Sequence, residues 1–202
     1  MELSKYEKRY NFLFTTLKPV VKVWLRVFHN FKGEKAEVPE GPLFILSNHT
    51  SPLDEFFTIA SFPRPLYFVA GEHLWRMGWF LKTALNWFKP AIQRIKGATD
   101  ASTAVGILRA IRDGKDVCLY PEGSMSYTGS MLPLHPTTAR LVKSAKGATL
   151  VTYRVTGGYF AKPRWAAKRR KGAQRGEVVG IYPPEVIKGM SVQQIEELLI
   201  RD

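Results

Sequence analysis

Short apolar runs alternate with longer amphipathic stretches from residue 43 to residue 182 of this chain. The first run, Leu43-Phe44-Ile45-Leu46, carries no charge, and residues 43–47 read as a strand buried on both faces. The same reading places further strands over 66–70, 91–95, 116–120, 149–155 and 177–181. Between them, helical spacing predicts helices over 52–61, 79–88, 100–113 and 137–146, with Gly114 closing the third. A final helix opens at Ser191, where Gln194 stands at capping-box distance. Strands and helices alternating at these lengths predict an α/β fold: a mainly parallel sheet flanked by helices on both faces.

The stretch before the first strand follows another pattern. Val20, Val21, Trp24, Leu25, Val27 and Phe28 keep helical spacing, while Lys22 and Arg26 stand four apart on another side. A basic amphipathic helix with Trp and Phe on its apolar face suits an interfacial membrane anchor. It suits equally a helix packed on the domain core. Pro19 is expected to divide it into two helical pieces, and residues 33–42 to form a polar linker. The expected organisation is an amphipathic helical membrane-docking segment over 1–32 and a single domain over 33–202.

Composition narrows the partners. The 202 residues carry a formal charge of +13, with a sequence pI near 9.9. Such a balance points to an anionic partner: nucleic acid, an acidic membrane surface or a phosphorylated small molecule. Zinc-ligand spacing, an RNA-binding signature and a helix-turn-helix pattern are all missing, which argues against specific nucleic acid. The single cysteine, Cys118, lies within an apolar run. It excludes an internal disulfide framework and reads as a buried core thiol in a reducing compartment. No apolar run is long enough to predict a transmembrane helix, and the N-terminus lacks a signal-peptide pattern.

The candidate chemistry sits where strands end. Asn48-His49-Thr50-Ser51-Pro52-Leu53-Asp54 follows the first strand, and Tyr120-Pro121-Glu122-Gly123-Ser124 follows a later one. Across a tight turn His49 can act as a general base, with Asp54 holding its other ring nitrogen. The same residues also read as a helix start, with Ser51 as N-cap, Pro52 at N1 and Asp54 at N3. In open parallel sheets ligands bind beyond the carboxyl ends of strands, so His49 and Glu122 can share one crevice.

The first of these blocks resembles the His-x4-Asp signature of the glycerophospholipid acyltransferases, the family containing 1-acyl-glycerol-3-phosphate acyltransferase. The second resembles that family's Phe-Pro-Glu-Gly-Thr block, and Ile92-Gln93-Arg94 resembles its Ile-x-Arg block, in the same order along the chain. The resemblance covers most of residues 40–155. It implies transfer of a fatty acyl group from a thioester, acyl-CoA or acyl carrier protein, to a lysophospholipid hydroxyl. By that resemblance His49 takes the acceptor's proton and Asp54 orients the ring. Glu122, Gly123 and Ser124 shape the acceptor site, with backbone N–H groups of the Gly turn able to face an anion or oxyanion. Arg94 contacts the acceptor's phosphate.

No metal and no cofactor beyond the thioester co-substrate is implied. The implied setting is the cytoplasmic face of a membrane, as a peripheral protein. Two departures from the family pattern stand out. Met125 occupies a position where the family commonly has an arginine, and Thr149-Leu150-Val151-Thr152-Tyr153 replaces a proline-containing block. They leave room for another acceptor headgroup, or for a relative that binds lipid without turnover.

Beyond Gly157-Gly158, seven cations run from Lys162 to Arg175 with no acid between Ala161 and Gly176, and Trp165 stands among them. Near an anionic leaflet such a segment gains about 1 kcal/mol per cation. It can equally steer the phosphates of CoA or the acidic surface of a carrier protein. His73 and His135 have no partner at metal-ligand spacing and read as structural or exposed.

Overall fold

The structure is a computed structural model describing residues 4–71, 83, 91–94, 100–161, 165–168, 170 and 172–201. In chain order its elements are α1 (Lys5–His29), β1 (Phe31–Gly33), β2 (Leu43–Ser47), α2 (Asp54–Ser61), β3 (Leu66–Gly71) and β4 (Ala91–Arg94). There follow α3 (Asp100–Arg112), β5 (Asp116–Leu119), α4 (Thr138–Ser144), β6 (Thr149–Thr156), α5 (Gly158–Ala161), β7 (Gln174–Tyr182), α6 (Pro184–Gly189) and α7 (Val192–Arg201). One seven-stranded sheet runs β1-β7-β6-β2-β5-β3-β4. Every pairing is parallel except β6 with β7.

The alternation read from the sequence therefore builds the expected α/β fold. β2 lies at the centre of the sheet with all five residues buried, as a strand covered on both faces must. Phe44, Leu46, Val117 and Leu150 face α3, α4, α6 and α7. Leu43, Ile45, Cys118 and Val151 face the other way, onto Phe57 and Ala60 of α2 and Leu25 of α1. The helix expected over 79–88 lies outside the described residues, Thr83 apart.

Among the elements that differ from expectation, three frame the site. The first is α1, which is one continuous helix with Pro19 inside it. Packing on either side outweighs the hydrogen bond that proline removes: Tyr10 and Phe14 are buried before it and Leu25 after it. Ser4 and Glu7 form a reciprocal capping box at its start, and Glu7 also pairs with Lys115 at 2.9 Å. The Ser4 hydrogen bond and the Lys115 partner, against the cost of burial, hold the Glu7 carboxyl down at about 2. Secondly, residues 31–33 form β1 across the expected boundary between the helical segment and the linker, because β7 begins at Gln174 and offers its edge to them. Thirdly, α2 begins at Asp54, two residues later than Pro52.

Candidate active site

The turn after β2 is built by its own side chains. Asn48 continues the β2–β6 ladder with an amide: its Nδ2 donates to the Val155 carbonyl at 2.8 Å, and its Oδ1 accepts from the Val155 N–H at 2.7 Å. The chain then doubles back onto Asp54. That carboxylate is fully buried, and its Oδ2 accepts from Thr50 N at 2.7 Å, Ser51 N at 2.8 Å and His49 Nδ1 at 3.0 Å. Ser51 is not the N-cap. Its hydroxyl accepts from Leu53 N at 3.3 Å, and Leu53 precedes the helix without a side-chain cap. Asp54 therefore organises the turn and the imidazole together.

With Nδ1–H donating to Asp54, Nε2 is the basic nitrogen of His49. The ring is about one-fifth exposed, so substrate can reach it. Burial disfavours the imidazolium, but the hydrogen bond and charge of Asp54, with Glu55 and Glu122 behind them, outweigh it and raise the His49 pKa. Burial also pushes the Asp54 carboxyl up, against the donors that favour its charged form. Both directions describe one property of the pair: it holds its last proton above the range of a free imidazole.

The segment after β5 grips His49 from outside. Tyr120 stacks on the imidazole, with centroids 4.4 Å apart and planes 22° off parallel. Glu122 Oε1 accepts the backbone N–H of His49 at 2.8 Å, and its Oε2 accepts that of Leu132 at 2.8 Å. The His49 carbonyl accepts from Ser126 N at 3.1 Å. Both backbone groups of the candidate base are thus fixed by one loop. Burial pushes the Glu122 carboxyl above its ordinary value, while the two amides pull it down.

Gly123 takes φ +69°, a left-handed turn position that favours glycine, and its N–H donates to the Tyr120 carbonyl at 3.1 Å. Ser124 beside it is exposed. Arg94 ends β4, also at the carboxyl end of the sheet, paired with Gly71; its side chain lies outside the described residues. Three strand spacings separate β4 from β2, about 14 Å across the sheet.

Three contributors escaped the sequence reading. Ser126 is wholly buried, and its hydroxyl accepts from Thr128 N and Gly129 N, which shapes the loop that holds His49. Leu132 contributes only a backbone N–H, and no side-chain pattern announces that. Gly158 leaves room for the turn: a Cβ there would lie 2.8 Å from Thr50 Oγ1 and 3.0 Å from Ser51 Cβ. The Gly157-Gly158 pair was the visible signal of that close approach. His135 is structural, its Nδ1 within 2.9 Å of the Thr137 hydroxyl at the start of α4.

Comparison with known proteins gives this geometry a context. The family model described as Acyltransferase matches residues 29–156, which contain the whole turn and the loop that braces it. Among solved structures, the 1-acyl-sn-glycerophosphate (LPA) acyltransferase PlsC from Thermotoga maritima superposes with a TM-score of 0.75 at 15% identity. The match covers 98% of this chain and 81% of that one.

Proposed function

The chain belongs to the Acyltransferase family, and from that premise we propose that it transfers a fatty acyl group from an acyl thioester to the free hydroxyl of 1-acyl-glycerol-3-phosphate or a related lysophospholipid. The observation that carries the proposal is the His49–Asp54 pair, held at the end of β2 with the imidazole partly exposed and the carboxylate buried. The name of the structural neighbour, an acyltransferase acting on 1-acyl-sn-glycerophosphate, supports the choice of acceptor.

In the reaction as we write it, His49 Nε2 takes the acceptor's hydroxyl proton as that oxygen attacks the thioester carbonyl carbon. The tetrahedral intermediate collapses by breaking its C–S bond, and the imidazolium returns the proton to the departing thiolate. The products are an ester and a free thiol, with His49 neutral again. Asp54 stabilises the imidazolium between the two steps, and base catalysis of this kind contributes about 10²–10⁴-fold. No metal or further cofactor takes part in this scheme. Arg94 is the proposed phosphate contact. Glu122 acts on the acceptor site indirectly, since both its oxygens hold backbone amides, and Gly123 and Ser124 form the wall beside it.

The acceptor is a membrane lipid, so the protein is proposed to work as a peripheral protein on the cytoplasmic face. The contact surface would be α1, where Phe12, Val20, Val23 and Val27 are exposed on one arc while Tyr10, Phe14 and Leu25 face the core. Among the described residues, no helix is long and apolar enough to cross a membrane.

The test is acyl transfer from labelled acyl-CoA, and separately from acyl carrier protein thioesters, to lysophosphatidate and other lysophospholipids in vesicles. We expect product with at least one donor and its loss in His49→Ala. Undiminished transfer by His49→Ala would overturn the mechanism, and binding of lipid without turnover over the whole panel would overturn the activity.

A further inference from the structure

The sheet topology brings a second surface to the catalytic end of the molecule. β2 and β6 run parallel and finish at the turn holding His49, while β7 runs opposite and β1 runs with β7. The end of α1, the start of β1 and the start of β7 therefore lie at that same end. Gln174 fixes the junction, its N–H donating to the Asn30 carbonyl and its Nε2 to the His29 carbonyl.

Two segments rise beside the turn. One is α5 with the chain that follows it. Its Gly158 backs directly onto Thr50 and Ser51, while Phe160 and Trp165 are 73% and 59% exposed. The chain returns where Arg170 N donates to the Ala161 carbonyl at 2.7 Å. The other is the loop carrying Tyr127, also exposed, one residue beyond the Ser126 amide that binds the His49 carbonyl. Gly129 of that loop packs against the Tyr159 ring of α5, so the two segments are joined.

We propose that Tyr127, Phe160 and Trp165, with the exposed Lys168 and Arg170, form a second membrane contact that seats the catalytic end on an anionic leaflet. The inference rests on the membrane-surface reading above and adds a contact separate from the α1 arc. Charge complementarity identifies the occupant: seven cations and no acid between residues 161 and 176 match a negatively charged surface. The aromatic rings decide between a leaflet and an acidic protein or the phosphates of CoA. Cations alone would serve either of the latter. Exposed Phe and Trp interleaved with Lys and Arg match the boundary between headgroups and acyl chains. The last turn of α1 arrives at the same end of the sheet, so the proposed contact adds to the α1 arc beside the turn that holds His49.

The experiment measures partition of the full chain onto vesicles of phosphatidylglycerol and phosphatidylcholine, and of phosphatidylcholine alone, without turnover. Phe160→Ala/Trp165→Ala is expected to lower partition onto the anionic vesicles at least tenfold, with its thermal unfolding unchanged. Transfer to a short-chain lysolipid below its micellar concentration should stay at the wild-type rate. Quenching by lipids brominated on the acyl chain should fall in Trp165→Phe. Partition and quenching equal to wild type in these variants overturn the proposal. So does a Lys168→Ala/Arg170→Ala protein that loses affinity for an acidic carrier protein but keeps its vesicle affinity. Because partition needs no chemistry, its outcome stands whether or not the acyl-transfer reading does.

Discussion

Two buried aspartates stand at opposite ends of the central strands, and they are wired differently. Asp116, at the start of β5, has both oxygens engaged: Oδ1 accepts from Leu43 N at 2.9 Å and Arg64 Nη2 at 3.2 Å, and Oδ2 from Arg64 Nε at 2.8 Å. Asp54, past the end of β2, gathers all three donors on Oδ2, and its Oδ1 makes no hydrogen bond among the described residues. Arg64 is a permanent cation, whereas His49 is an imidazole that can gain and lose its charge. The first arrangement is a clamp with one stable state. The second is a clamp whose partner can change protonation without the turn coming apart, because two backbone amides still hold the carboxylate.

Substitutions sharpen the contrast. The largest effect is expected from His49→Ala, a fall of about 10³-fold in kcat/KM for acyl transfer, with the fold retained by circular dichroism. Asp54→Asn follows, with a fall of about 10²-fold. It also carries a signature in pH. With the neutral imidazole as the proposed base and Asp54 raising its pKa, activity in the wild type is expected to climb as pH rises through a value above that of free imidazole. Removing the carboxylate charge moves that acid limb to lower pH, and a limb that stays in place or moves upward contradicts the assignment.

Asp116→Asn should behave in the opposite sense, losing about 2 kcal/mol of stability in a denaturant titration while kcat per folded molecule stays unchanged. A loss of kcat there would erase the distinction between the two carboxylates. The smallest effect is expected from Glu122→Gln. Its amide can accept one backbone N–H but sets a donor against the other, which costs about 1 kcal/mol and roughly fivefold in kcat. Glu122→Asp, too short to span His49 and Leu132, should lose at least as much.

The strands of the centre were legible because burial on both faces demands uninterrupted apolar residues, and β2 matched its expected bounds from Leu43 to Ser47. β7 extends beyond its expected start at residue 177 because its burial alternates and its first residues pair with β1. β1 has a single buried residue, Phe31, and depends on a partner far along the chain, so its own pattern says little. In the site, the His49–Asp54 contact was readable because five residues of turn set it locally. The bond from His49 N to Glu122 joins residues 73 apart, and only the order of strands brings them together. Ser126 was invisible for a related reason: a buried serine in a polar loop looks like any other loop serine until the backbone groups around it are known.

Cys118 has a practical consequence for studying the protein. It is the chain's sole cysteine, it has no exposed surface, and burial pushes its thiol well above the ordinary value. In the folded protein it should therefore be inert to maleimides and to mild oxidants. A thiol placed by Trp165→Cys or Val23→Cys would be the one reactive handle on the molecule. An environment-sensitive dye could then report on each proposed lipid contact separately, with no background cysteine to remove.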